Sequence, residues 1–140
     1  MIYDSFPSDL LGGDISPKRD QFAMLLVNGY HFDRSHSKRS DVDSTEPTSS
    51  GYAKGGKPTT VTPTKLGART TLVFADVRWD ISGQMTATGG VVYKKTGGPA
   101  SEDPLVCYLD FGKAVTCTDS TFTAHFAKGL GFEAKQSPST

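Results

Sequence analysis

Two histidines lie in a polar stretch that also carries aspartates, a combination able to bind metal. His31 and His36 are accompanied by Asp33, Asp41 and Asp43. A metal site needs ligands that converge with a set geometry, and the sequence contains neither an HExxH nor a CxxC pattern. The run DRSHSKRSDVD also lacks the central glycine and the terminal glutamate of an EF-hand loop. We therefore predict a solvated polar loop that binds no metal and no cofactor.

Residues suited to nucleophilic or acid–base chemistry are present but poorly arranged. His125 could pair with a cysteine, but Cys107 lies in an apolar alternating pattern typical of a buried strand. The serines lie in turn-like segments, and the sequence has no GxSxG elbow. Aspartates are frequent beside turns, where they hydrogen-bond locally. The carboxylates that could meet as glycosidase acids do are Asp76, Asp80 and Asp110. We predict no catalytic residue and no enzymatic activity.

The charge balance argues against a nucleic-acid partner. Lysine plus arginine number 15, as do aspartate plus glutamate, so the formal net charge is zero. Nucleic-acid-binding domains normally carry a basic excess. Gly55-Gly56-Lys57 is too short for a phosphate-binding loop, and acidic residues interleave with the basic pairs. Because the net charge is zero, charge repulsion does not oppose self-association, and copies of the chain can pack side by side.

The length of 140 residues predicts a single domain, residues 1–140, large enough to bury a core. The N-terminal stretch does not resemble a signal peptide, and no apolar run approaches the roughly 20 residues that cross a bilayer. The two cysteines are expected to stay reduced. These features predict a protein that folds in a cytoplasm and has no membrane partner.

Short apolar or alternating runs separated by turn residues predict an all-β fold. The favoured architecture is an antiparallel β-sandwich, jelly-roll-like, and a closed barrel is the second choice. Runs at 72–74, 90–93 and 105–111 predict consecutive strands of one meander. The predicted strands cover residues 21–28, 59–62, 69–74, 76–80, 85–93, 105–111, 121–126 and 130–134.

Local residue chemistry adds detail to these strands. The paired glycines at 89–90 predict a bulge or a close approach of another backbone. The strand at 59–62 is expected to be bounded by its two flanking prolines. Strict alternation places Leu105 on the same face as Cys107, opposite Tyr108. The expected core anchors are Leu25, Phe74, Trp79, Leu109, Phe111 and Phe122.

Residues 4–11 predict a short N-terminal helix. Asp4 or Ser5 is expected to cap its first free amides, and the glycines at 12–13 to end it. The side chains expected to share its buried face are Phe6, Leu10 and Leu11.

The polar stretch at 30–58 predicts a long loop arm that becomes ordered by lying on a neighbouring protein. Deletion of residues 35–50 is therefore expected to leave the domain folded. Residues 135–140 form a Ser/Pro tail. The residues expected to contact partners are Tyr3, Tyr30, Phe32, Arg34, Arg39, Tyr52 and Lys54.

Four sequence blocks together resemble a family of small virion proteins of tailed bacteriophages. The blocks are YDSFPSDLLGGDI, DQFAMLLVNGYHFDRSHSKRSDV, GYAKGGK, and the stretch 74–112 with its DPLVCYLDFG run. The family shows a YDSF-type start, a GYxxGG turn and a closing DPLxxYxDFG block. The similarity covers residues 3 to about 126, and the chain departs from the family pattern in 44–50 and after residue 128.

The resemblance implies a non-enzymatic structural component of a double-stranded DNA phage virion, assembled in the cytoplasm of the host bacterium. The favoured role is a cement or decoration protein that stabilises the head, and the alternative is a neck or tail adaptor or fibre-attachment protein. The implied partners are copies of the chain itself and virion proteins such as the major capsid, portal or tail proteins. A hypothesis of another class, a carbohydrate-binding module for host attachment, would use Tyr30, Phe32 and Tyr52 as stacking platforms.

Overall fold

The computed structural model describes residues 2–67, 69–124 and 130–133, and this part of the chain is an all-β fold with one short helix. The helix, α1, spans Ser5–Gly12. The strands are β1 Phe22–Val27, β2 Lys57–Thr59, β3 Val61–Leu66, β4 Arg69–Phe74, β5 Val77–Asp80, β6 Gln84–Lys94, β7 Leu105–Thr118, β8 Thr121–Ala124 and β9 Leu130–Glu133. The predicted all-β class is therefore confirmed. None of the helices in the described residues is long and apolar enough to cross a membrane. The predictions for His125, Phe126 and residues 134–140 lie outside the described residues.

The strands form three antiparallel sheets. A four-stranded sheet has the order β2–β1–β6–β7, a three-stranded sheet the order β3–β4–β9, and β5 pairs with β8. The prediction that 72–74 is part of one meander with 90–93 and 105–111 is wrong, because 72–74 belongs to β4 and pairs with β3 and β9. Only the last two runs are paired, as β6 with β7. An apolar pattern marks a strand but does not identify the strand beside it.

β1 lies inside the four-stranded sheet, and all six of its residues are buried. Continuous burial of this kind requires that the strand be covered on both faces. The residues of β1 that face a first apolar cluster are Phe22, Met24 and Leu26. The residues that face a second cluster are Ala23, Leu25 and Val27. The four-stranded sheet therefore has a packed layer on each side.

The two layers come from different parts of the chain. The first cluster joins the sheet to side chains of the other two sheets, including Leu72, Trp79 and Phe122. The second cluster joins it to Tyr3 near the N-terminus and to Val42 in the long connection between β1 and β2. That connection, 28–56, contains two short 3-10 turns, Arg39–Asp41 and Asp43–Thr45.

The predicted loop arm at 30–58 does not project from the domain. Tyr30, Val42 and Tyr52 are buried in this chain's own clusters. The connection also bonds to the backbone of the sheet, since Leu105 N donates to the Ser37 carbonyl at 2.9 Å. A polar composition concealed the few apolar side chains that hold this segment against the second face.

The N-terminal helix is present, but two details of its prediction are wrong. Leu11 is 88% exposed, because in this helix of about two turns it lies five positions after Phe6 and points away from the face that Phe6 and Leu10 share. Asp4 occupies the N-cap position without a side-chain cap, and its carboxylate instead accepts a 2.8 Å bond from Arg34 Nε. The glycine ending is confirmed, since Gly13 adopts the left-handed conformation with φ 88°.

The predicted strand at 59–62 is two strands, and its prolines lie within them instead of bounding them. Pro58 is in β2 and Pro63 is in β3. Both strands are edges of the described sheets, which is where a residue without an N–H is tolerated. Burial alternates along β4, where Leu72 and Phe74 are buried while Val73 is 45% exposed.

The glycines at 89–90 lie at a register shift between β6 and β7, as predicted. A Cβ on Gly89 would lie 2.7 Å from the Leu109 carbonyl oxygen, so the close backbone approach is also confirmed. A second shift between β6 and β7 moves Leu105 into the second cluster with Tyr108, so the prediction that it shares the face of Cys107 is wrong. An inserted residue reverses the faces of a strand.

Candidate functional site

The closest gathering of polar side chains lies at one end of the four-stranded sheet, beside the start of β1. A glycine turn, residues 53–56, leads there into β2. Residues of the long connection, of β6 and of the β6–β7 connection converge on this turn. The side chains concerned are Arg39, Glu46, Tyr52, Tyr93 and Asp103.

Glycine is required at the glycine turn on two grounds. Gly55 and Gly56 adopt positive φ values of 95° and 73°, which L side chains rarely adopt. A Cβ on Gly56 would also lie 1.8 Å from the carbonyl oxygen of Met24 in β1. The turn is therefore pressed directly onto the backbone of the central strand.

The buried carboxylate of Glu46 hydrogen-bonds to the glycine turn. Glu46 is only 7% exposed, and its Oε1 accepts hydrogen bonds from Gly55 N at 2.7 Å and from the Tyr52 hydroxyl at 2.6 Å. The same hydroxyl accepts a 2.9 Å bond from Leu26 N in β1. The Tyr93 hydroxyl donates to the Gly55 carbonyl at 2.6 Å. Glu46 Oε2 is buried and has no hydrogen-bond partner among the described residues.

The site also contains an ion pair between Arg39 and Asp103. Arg39 Nε lies 2.8 Å from Asp103 Oδ2, and the Asp103 side chain is 2% exposed. The other Asp103 oxygen accepts bonds from Thr96 N at 3.0 Å and from Thr96 Oγ1 at 2.5 Å. Although burial alone raises the pKa of Asp103, these hydrogen bonds and Arg39 outweigh it and lower that pKa below its usual value. The Arg39 guanidinium also lies 5.2 Å from the centre of the Tyr93 ring.

These groups surround a cavity of about 180 Å³. Its lining includes the charged side chains Arg39, Lys54, Lys57, Lys95 and Asp103. A larger groove of about 650 Å³ adjoins it and shares Pro58 and Lys95 with it. Within residues 2–67, 69–124 and 130–133, no group of three or more His, Cys, Asp or Glu side chains could hold a metal ion. The excess of cationic side chains in its lining makes the cavity suited to binding an anion by charge.

A second polar cluster includes Tyr3 and Tyr30, which belong to the second apolar cluster. The hydroxyls of Tyr3 and Tyr30 are 3.1 Å apart, and the Tyr30 hydroxyl lies 2.8 Å from His36 Nδ1. His36 Nε2 is 3.8 Å from Asp33. Phe32 stacks on Tyr108 at 5.6 Å between ring centres. This cluster fastens the N-terminus and the long connection to the sheet.

The predicted contact residues divide into three groups. Tyr3, Tyr30 and Tyr52 are interior side chains of this chain, and Phe32 is partly buried against Tyr108. They therefore do not form the exposed aromatic platform that a sugar-binding surface needs. Arg34 is exposed and pairs with Asp4. The residues that do reach the cavity are Arg39 and Lys54.

Most of the predicted core anchors are in the core. The fully or nearly buried ones are Leu25, Phe74, Trp79 and Phe122. Leu109 and Phe111 are only partly buried against the first cluster. Sequence reasoning missed Glu46 and Asp103, because an isolated charged residue in a polar stretch looks like surface. It missed Tyr93, because an aromatic residue in an apolar strand looks like a core residue. The one usable signal was the GYAKGGK run, which contains both Tyr52 and the glycine turn.

The cysteines are free and buried. The prediction that Cys107 is a small buried apolar residue is confirmed, and burial raises the pKa of its thiol to about 12. A thiol with so high a pKa is a poor nucleophile at neutral pH. Cys117 lies in β7 with its Sγ 3.1 Å from the Ser120 hydroxyl.

Comparisons of the chain with protein-family models, with curated proteins and with solved structures found no match.

Proposed function

We propose that the protein is a non-enzymatic structural component of a tailed double-stranded DNA phage virion. The observation that supports this proposal most is where the four resemblance blocks meet in the fold. Tyr3 from the first block bonds to the Val106 carbonyl in the last, and Tyr52 from the third accepts the Leu26 amide of the second. The blocks that carry the resemblance therefore contact one another in the folded domain. A signature of that kind suits a protein that acts through rigidity and its surface.

We propose that the three sheets pack as a jelly-roll-like β-sandwich. The first cluster supports this, because it combines side chains of the four-stranded sheet with those of β3, β4, β5 and β8. In this arrangement the long connection covers the outer face of the four-stranded sheet, and α1 packs through Phe6 into the first cluster. The result is a block with a packed layer on both sides of β1.

Within the virion, we propose a cement role on the head, with a neck or tail adaptor as the alternative. A formal net charge of zero lets many copies lie side by side without mutual repulsion. The partners are then neighbouring copies and the major capsid protein. A neck or tail position would instead bring portal or tail proteins against it.

Analysis of purified virions of the phage that encodes the chain tests whether the protein is a virion component and whether it lies on the head or at the neck or tail. Quantitative gel densitometry should find the protein at on the order of hundreds of copies per particle, as expected for a symmetric head component. About a dozen copies would place it at the neck or tail. If the protein occurs in infected cells but not in purified particles, the proposal of a virion component is wrong.

A further inference from the structure

The cavity at the glycine turn is positively charged. It is lined by four cationic side chains, Arg39, Lys54, Lys57 and Lys95, and by one carboxylate, Asp103. Asp103 is already occupied by Arg39 and Thr96. Among the described residues, the three lysines form no ion pair. Glu102, beside Gly98 at the rim, reduces the excess of positive charge without cancelling it.

The walls of this cavity are rigid before any ligand arrives. The glycine turn that carries Lys54 is held by Glu46 and by the Tyr93 hydroxyl, and Gly56 is pressed onto β1. Lys57 follows as the first residue of β2 and pairs with Met24. A site whose backbone is already fixed loses little conformational entropy on binding. The lysine side chains therefore extend toward an anion from backbone positions that are already fixed.

The adjoining groove is of a different character. Its lining includes the apolar side chains of Pro17, Phe22, Pro58, Val61 and Pro63. Pro58 and Lys95 belong to both the groove and the cavity, so the two form one continuous surface. A ligand that fits both parts carries a negative charge next to an apolar group. That combination is found in a peptide and not in a free inorganic anion.

We propose that the cavity and groove together bind an acidic, partly apolar segment of a partner protein, with a side-chain carboxylate in the cavity. The lysines supply the charge complement, and the groove takes the neighbouring apolar side chain. A nucleic-acid backbone is disfavoured by the same features, because it requires an extended basic track and not a single concave pocket beside apolar surface. The site stands whether or not the protein is a virion component.

The test titrates the isotope-labelled full chain with a blocked hexapeptide of alternating leucine and glutamate, followed by amide NMR at constant ionic strength. The matched peptide has glutamine in place of glutamate. Acetate and inorganic phosphate are titrated separately. We expect the glutamate peptide to shift the amides of Gly55, Gly56, Gly97 and Gly98, and the glutamine peptide to bind at least fivefold more weakly.

Two variants assign the effect to the cavity. Lys54→Gln combined with Lys57→Gln should weaken the glutamate peptide by about fivefold, as expected for the loss of two exposed ionic contacts. Lys65→Gln combined with Lys113→Gln removes the same charge away from the cavity and should leave binding unchanged. Equal urea midpoints show that both variants fold. Equal affinity of the two peptides, unchanged binding by the cavity variant, or binding of phosphate without the peptide would each overturn the proposal.

Discussion

Removal of one hydroxyl, in the variant Tyr52→Phe, is expected to destabilise the domain strongly. That hydroxyl accepts the Leu26 amide at 2.9 Å and donates to Glu46 Oε1 at 2.6 Å. Leu26 is fully buried and Glu46 is 7% exposed, so water does not readily replace either partner. The aromatic ring itself, which lies 6.0 Å from Trp79 between ring centres, is kept.

The magnitude follows from the two groups left behind. A buried amide without an acceptor costs about 1–3 kcal/mol, and a lost hydrogen bond to a charged group costs about 1.5–3 kcal/mol. The two losses share one oxygen, so we expect a decrease of about 3–5 kcal/mol in the free energy of unfolding. For a chain of this size, that corresponds to a fall of roughly 10–17 °C in Tm.

Urea unfolding monitored by tryptophan fluorescence measures this decrease. Tyr93→Phe is the matched control, because it also removes one hydroxyl, whose bond runs to the Gly55 carbonyl. Loss of that single neutral hydrogen bond should cost about 1 kcal/mol. If Tyr52→Phe costs no more than Tyr93→Phe, the buried network around Glu46 does not stabilise the fold in the way described.

Three further outcomes are expected. In the wild type, the lowered pKa of Asp103 adds stability above about pH 4, and this stability is lost as the pH falls through the pKa of the folded protein. Asp103→Asn removes this dependence on pH. The free energies of unfolding of wild type and variant, measured in urea, should therefore converge at low pH. Trp79→Ala should cost about 3–5 kcal/mol, because the ring is fully buried, and Trp79→Phe distinctly less; a loss near zero by calorimetry would contradict its place in the core. Deletion of residues 35–50 removes buried Val42 and Glu46 and should prevent cooperative unfolding. A sharp thermal transition in the deletion variant would instead support the prediction that the domain folds without this segment.

Local patterns were enough to find individual strands. The apolar run of β1 and the alternation in β4 mark these elements because each reflects the burial of its own side chains. They were not enough for the arrangement of the strands. β4 pairs with β9, which is distant in sequence, and no pattern within either strand encodes that choice. β7 continues to Thr118, well past the predicted end at 111, because pairing with β6 extends a stretch of weak apolar character.

The candidate site was harder to predict for the same reason. Arg39 and Asp103 are separated by 64 positions in the sequence, and Glu46 reaches the glycine turn across a polar stretch. Each looks like a surface charge in isolation. Their burial is decided by partners that only the folded chain brings together. The glycines at 55 and 56 were considered as part of a phosphate-binding loop, and the contact of Gly56 with the Met24 backbone was not predicted.

The central claim, that this rigid β-rich domain acts by taking a fixed place in a virion, is tested most directly by imaging the particle. Cryo-electron microscopy of virions carrying this protein with a small fused tag, compared with untagged virions, would locate it. The account predicts extra density repeated over the head surface, next to a domain whose shape fits residues 2–124. Tagged and untagged particles without any difference density, from a phage whose infected cells contain the tagged protein, would contradict it.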